Sequence, residues 1–116
     1  MRDGESLLTW QYRLYPDAHR DRGNLIIHAV TQPLFVAGLA AAVASPLVGL
    51  WPLAGGIAAM VLALALQGRG HRREQTPPAP FRGPGDVVAR LVVEQLVTFP
   101  RYVLSGGLAR AWRAAK

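Results

Sequence analysis

No charged side chain occurs between Gly23 and Gly68, while 13 basic and 7 acidic residues occupy the rest of a chain of 116. Few folds accept such a run. An apolar segment of about 20 residues is long enough to cross the hydrocarbon core of a bilayer, and this one is about twice that. Midway it is punctuated by Ser45-Pro46, Trp51-Pro52 and Gly55-Gly56. Proline and glycine are strong local breakers, so the run is expected to form two helices folded back on each other, Asn24 to Ala44 and Trp51 to Arg69. Leu25 to Ala44 reaches spanning length, and Trp51 to Gln67 lies at its short end. Gly38, Ala40, Ala41 and Ala44 stand against Gly55, Ala58, Ala59 and Ala63, and small residues let two helices approach closely. A buried soluble hairpin is the alternative, but so short a chain has little surface with which to cover one. The expected fold is all-α and single-domain over residues 1–116, a two-helix transmembrane hairpin with flanking amphipathic interfacial helices.

Charge sets the expected orientation. The segment to Gly23 has four arginines and four acids, and the segment from Arg69 to Lys116 has nine basic residues and three acids. The turn has none. Basic residues gather at the cytoplasmic ends of membrane helices, which puts both termini in the cytoplasm, across a bacterial inner membrane. The net charge of +6 is thereby read as the flanks of an apolar block, not as a nucleic-acid surface. Met1-Arg2-Asp3-Gly4-Glu5 opens without a long apolar run, so no signal peptide is expected. There is no cysteine, which excludes a disulfide framework, a thiolate metal site and a thiol nucleophile.

Asp3 is placed to cap a first helix ending near Tyr15. Leu7, Leu8, Trp10, Tyr12, Leu14 and Tyr15 give it an aromatic, apolar face suited to the membrane interface or to the hairpin's cytoplasmic end. Pro16-Asp17 ends it, and a polar link with His19 leads to Asn24. Residues Thr76 to Gly85 include four prolines and two glycines and read as an irregular linker. Asp86 can cap a further helix to about Phe99, with Val88, Leu91, Val92, Leu96 and Phe99 on one stripe. Pro100 interrupts it. Gly106-Gly107 precedes a basic turn with Arg110, Trp112, Arg113 and Lys116, whose apolar face is expected on lipid and whose cations are expected at headgroups.

The polar residues that survive in the hairpin lie at its outer ends. Asn24, His28, Thr31 and Gln32 begin the first arm, and Gln67 and His71 end the second. With the turn near residues 48 to 49, His28 and His71 stand almost equally far from it. At about 1.5 Å rise per residue they differ in height by only a few Å. A lone histidine is ordinarily satisfied by a backbone carbonyl. Ionisable groups in membrane segments are costly and often functional, and Gln67, His71 and Glu74 share one helix face. Imidazoles with a carboxylate and open positions suit a non-haem ferrous centre or zinc, and composition does not choose between them. Arg69, Arg72 and Arg73 read as lipid-headgroup contacts, with a substrate carboxylate as the other partner for one of them.

Tyr15, His19, Asn24, His28 and Pro33 precede the hairpin turn in that order, and Gln67, Gly70, His71, Glu74, Pro78 and Ala79 follow it. In this the chain resembles the Mpo1-like (DUF962) family of small multi-helix membrane proteins. Its first signature is Tyr, His, Asn with a His four residues on, then Pro. Its second is Gln-x-x-Gly-His followed by Glu and a Pro-Ala pair. Thr31 stands where the family commonly has Gly, and Glu74 follows His71 one residue sooner than usual. The resemblance spans Tyr15 to Ala79. It implies an iron(II)-dependent dioxygenase that shortens 2-hydroxy fatty acids by one carbon with O2. It makes His28 and His71 the catalytic pair and His19, His28, His71 and Glu74 the candidate Fe2+ ligands. Asn24 and Gln67 would orient the imidazoles. Two other readings stand beside it: a zinc site hydrolysing lipid, and a non-catalytic membrane protein with structural or headgroup-binding histidines.

Overall fold

The computed structural model describes residues 4–115. Asp3 and Lys116, assigned above to a helix cap and a basic turn, lie outside the described residues. The fold is all-α. Helix α1 (Leu7–Leu14) starts at Ser6, whose Oγ accepts the Thr9 N–H and so satisfies one donor that a helix start leaves free. A 3-10 turn, Tyr15–Ala18, follows, with Pro16 in its first turn where a missing N–H costs nothing. Asp21 caps α2 (Arg22–Val48) by accepting the Asn24 N–H.

Helix α2 does not stop at Ala44 but runs through Ser45-Pro46 to Val48. Pro46 removes one donor, the N–H that would reach the Ala42 carbonyl. The Ser45 hydroxyl supplies it instead, donating to Ala42 O at 2.7 Å. The reversal falls on Gly49, at φ 136° and ψ 179°, a conformation glycine adopts without steric cost. Helix α3 (Leu50–His71) begins at the next residue, and Pro52 sits harmlessly in its first turn. At 1.5 Å per residue α2 and α3 are about 40 and 33 Å long, each more than a hydrocarbon core of about 30 Å.

The two arms touch backbone to backbone at Gly38 and Gly56. A Cβ on Gly38 would stand 2.6 Å from Gly56 O, and one on Gly56 would overlap Gly38 O and the Ala42 nitrogen. Toward the turn the hairpin is bare: Val43, Leu47, Leu50 and Trp51 are 71, 93, 77 and 87 % exposed.

Helix α4 (Pro84–Val93), a π turn (Glu94–Thr98) and α5 (Phe99–Leu104) form one continuous rod. Asp86 lies within its first turn and does not cap it; its Oδ2 accepts the Arg82 N–H at 2.9 Å. Nor does Pro100 interrupt the rod, because the π turn absorbs it. The Phe99 N–H reaches back to Glu94 O. In that register Gln95 O would need the N–H of residue 100, which a proline lacks. Gln32 Nε2 from α2 donates to it at 2.7 Å. The extra residue of a π turn also rotates the face that follows, so Phe99 is buried while Val88, Val92 and Leu96 face outward. The rod's polar side, Arg90, Gln95 and Thr98, turns inward.

After Gly106, a short helix α6 (Gly107–Ala114) returns to α2, where the Arg22 guanidinium lies 4.6 Å over the Trp112 ring and donates to Trp112 O. Tyr15, Phe99 and Tyr102 form an aromatic cluster with Tyr12, Leu108 and Ala111.

Buried amides join these parts. Gln67 Nε2 donates to Thr31 Oγ1 at 3.0 Å and to Gln95 Oε1 at 3.1 Å, and Gln95 Nε2 returns a bond to Gln67 Oε1 at 2.7 Å. Gln11 donates to Arg90 O and accepts from the Thr98 hydroxyl. Gln95→Leu leaves the Gln67 carbonyl oxygen without its donor and is expected to cost about 1–3 kcal/mol. The Gln67→Leu/Gln95→Leu double variant is expected to cost less than the sum of the singles. Denaturant titration of all three variants in detergent measures the difference.

Candidate metal centre

Three histidines converge from three places in the chain. His19 closes the 3-10 turn, His28 lies in the second turn of α2, and His71 ends α3. Their ring centroids are 4.7, 4.8 and 4.9 Å apart, with interplanar angles of 84°, 79° and 80°. The rings therefore stand edge to face around a common centre. Glu94 enters from the π turn, its Oε2 lying 3.5 Å from His28 Nε2 and 3.8 Å from His19 Nε2. One ligand atom from each of the four lies within 4.8 Å of the others. π turns recur at functional sites, and this one carries Glu94.

The sequence reading names Glu74 among the ligands and misses Glu94. Glu74 is engaged elsewhere. Its carboxylate accepts the N–H groups of Arg20 and Asp21 at 2.8 and 2.9 Å and Asn24 Nδ2 at 2.7 Å. It latches the His19 loop and the start of α2 onto the end of α3. Glu94 was hidden by Arg90 four residues earlier, which makes it look like half of an ordinary surface ion pair. In the fold Arg90 turns toward Asp86, at 3.6 Å, and donates to Ala79 O and Pro80 O.

Backbone carbonyls set the imidazoles. His19 Nδ1 lies 2.7 Å from Tyr15 O, and His28 Nδ1 lies 3.0 Å from Asn24 O, each four residues back. With Nδ1–H donating, Nε2 keeps its lone pair. Nε2 of His19 and of His28 and Nδ1 of His71 are buried without a hydrogen-bond partner. Buried polar atoms are nearly always partnered. Three such nitrogens beside one carboxylate are therefore a ready donor set for a metal ion. Asn24 serves His28 through its main chain while its side chain holds Glu74. Gln67 is bonded to Thr31 and Gln95, so it steadies the π turn that carries Glu94. A Cβ at Gly70 would overlap Asn24 Oδ1, so this glycine lets α2 and α3 meet beside His71.

The electrostatics suit a cation. Burial, with His28 next, holds the His19 imidazole down at about 3, so it is neutral near pH 7. Burial works to raise the Glu94 carboxyl, but the His28 contact and the neighbouring His19 and His71 outweigh it and set it at about 2. A neutral His19 nitrogen beside an anionic Glu94 oxygen is a combination that iron(II) and zinc both accept.

Tyr15 supports the group at three points. Its ring stacks on His19 at 3.7 Å and 12°, its carbonyl receives His19 Nδ1, and its hydroxyl donates to Glu94 Oε2 at 3.0 Å. Burial, then the Glu94 charge, pushes the phenol well above its ordinary value, so it stays a donor. Tyr15→Phe keeps the stacking and frees Glu94. Metal affinity is expected to fall about 10–100-fold with the fold retained, as read by titration against a competing chelator.

Clefts reach the group from more than one side. One of about 220 Å³ opens between α1 and the linker, past Trp10, Leu14 and Pro78 to His19, His71 and Glu94. Another, of about 390 Å³, runs between α3 and α4 and ends on His71 and Glu94. A third cavity, of about 420 Å³, touches His19 beside Tyr102 and Arg110. No family model matches the chain, and no curated protein or solved structure matches it.

Proposed function

We propose that the chain is an Mpo1-like integral membrane enzyme, a non-haem iron(II) dioxygenase that shortens 2-hydroxy fatty acids by one carbon. The observation that carries the reading is the group of three imidazoles and one carboxylate, with three of its nitrogens buried and unpartnered. His19, His28, His71 and Glu94 would hold the metal. Iron(II), when bound, supplies the one-electron chemistry with O2 that side chains lack; zinc does not. Around it the chain's own residues do the positioning. Tyr15 O and Asn24 O fix the His19 and His28 tautomers, the Tyr15 hydroxyl aims Glu94, and Gln67 with Gln95 steadies the turn below.

The membrane half of the reading rests on where apolar residues face. Two helices are long and apolar enough to cross a membrane. Little of either span is covered by the rest of the chain: 22 % and 17 % of their most apolar stretches are buried. A soluble core helix would be mostly covered. The rod, too, shows valines outward and amides inward, the arrangement favoured by a lipid surrounding. Basic flanks put both termini in the cytoplasm of a bacterial inner membrane.

Oxygen consumption by anaerobically purified, iron-loaded protein given 2-hydroxypalmitate tests the proposal. The expected result is iron-dependent uptake with release of an acid one carbon shorter, lost in His28→Ala. Zinc in the site, with lipid hydrolysis and no oxygen uptake, would replace this reading with a hydrolase. A folded protein that holds no metal would replace it with a non-catalytic, lipid-binding one.

A further inference from the structure

A groove of about 450 Å³ runs between α2, α5 and α6. It is separate from the metal centre, since none of His19, His28, His71 and Glu94 lines it. Leu25, Ile26 and Ala29 form its α2 wall, Val103 and Leu108 continue the apolar lining, and Trp112 and Arg113 come from the end of α6. Ile26, Val103 and Trp112 are exposed. Arg22 fixes one end of the groove. Its guanidinium lies 4.6 Å over the Trp112 ring and donates to Trp112 O, beside Arg113. From there the α2 wall leads to Ala29, about 10 Å along the helix from Arg22 toward the hairpin turn. The rim is therefore cationic and the wall apolar. No acidic side chain lines the groove among the described residues. The acids nearest to Arg22 in sequence, Asp17 and Asp21, pair with Arg20 and Arg73.

We propose that this groove binds an anionic phospholipid, one acyl chain along Leu25, Ile26 and Ala29 and the phosphate at Arg113 with Arg22 alongside, and that the lipid braces α6 against the hairpin. The inference rests on the membrane reading of the two long helices and not on the chemistry of the metal centre. Charge selects the occupant. Guanidinium N–H groups match phosphate oxygens in pairs, and the rim offers cations without a carboxylate to neutralise them. A second copy of this chain would bring a net charge of +6 to that rim, and like charge opposes such an approach. A neutral lipid would leave the rim without a counter-charge, and a water-soluble anion would leave the apolar wall bare. Trp112 stands between rim and wall, at the step where tryptophan favours the boundary of headgroup and acyl chain. Helix α6 itself joins Leu108 and Trp112 to Arg110 and Arg113, the composition of a helix that lies on anionic lipid.

The test places the full chain, wild type beside Arg113→Glu and Ala29→Phe, in phosphatidylcholine nanodiscs. The probes are phosphatidylglycerol and phosphatidylcholine, each with a diazirine on one acyl chain, and labelled residues are mapped by mass spectrometry. In wild type, labelling at Ile26, Ala29 or Leu108 is expected to favour phosphatidylglycerol by about fivefold or more, the worth of one basic side chain at an anionic headgroup. Arg113→Glu should abolish the preference. Ala29→Phe, which places bulk on the wall, should lower groove labelling by both lipids. Labelling of the hairpin at Val43 and Leu47 should be the same in all three proteins, as should helicity and metal content. Equal groove labelling by the two lipids, unchanged in Arg113→Glu, overturns the proposal and leaves ordinary bilayer contact. A groove protected from both probes in a cross-linkable dimer overturns it in favour of a second copy. Hairpin labelling without groove labelling overturns the lipid site alone, whereas a chain that neither enters nanodiscs nor takes label at Val43 and Leu47 overturns the membrane reading and the site with it.

Discussion

Glu94→Gln is expected to remove tight metal binding, while Glu74→Gln leaves it in place. The glutamine is nearly isosteric and can still accept from Tyr15, so what is lost at 94 is the one anionic group beside three imidazoles. Affinity should fall by about 100-fold or more, beyond the loss typical of an outer partner. Glu74 does a different job. As a glutamine it turns an amide NH2 toward donors from Arg20, Asp21 and Asn24. The latch then loses charge-assisted bonds, and stability should drop by about 1–3 kcal/mol. The His19 loop loosens, but metal affinity should fall less than about tenfold. Chelator competition and thermal melts of the two variants side by side make the comparison. The reverse ranking would assign the wrong carboxylate to the centre.

The second large effect concerns the hairpin. Gly56→Leu drives a side chain into Gly38 O and the Ala42 nitrogen. Overpacking against side chains costs about 1–3 kcal/mol. Here the obstacle is backbone, which has no alternative rotamer, so α2 and α3 must part and the loss should exceed that range. Its neighbour provides the control. A Cβ at Gly55 meets nothing within 4 Å, and Gly55→Leu should be neutral or gain up to about 1 kcal/mol of helix propensity. Melting in detergent reads both. Equal behaviour of the two variants would mean that the arms do not meet at Gly38 and Gly56.

Much of this fold was legible because charge was absent where lipid or a neighbouring helix must be met. The uncharged run specified two long apolar helices, and equal spacing from the turn brought His28 and His71 to one level. The exact reversal was not legible. Ser45-Pro46 looks like a break, yet the serine hydroxyl replaces the donor that the proline lacks, and the turn falls on Gly49. Pro100 misleads in the same way, because a π turn and a glutamine from another helix meet its cost. At the site, the histidines announced themselves by residue type and position. Glu94 did not, since its partners are set by the fold: a phenol 79 residues earlier and a histidine that ends another helix. What the sequence did offer was a carboxylate on the polar side of a rod whose valines face outward. On a rod with that pattern, the polar side is the one to search for ligands.

The most direct test of the centre is the metal content of protein purified without oxygen in mild detergent and offered ferrous iron or zinc, wild type beside His28→Ala. The result expected is about one metal ion per wild-type chain and none in the variant, with helicity retained in both. A well-folded wild-type protein that takes up neither metal would contradict the assignment of His19, His28, His71 and Glu94 to one metal centre.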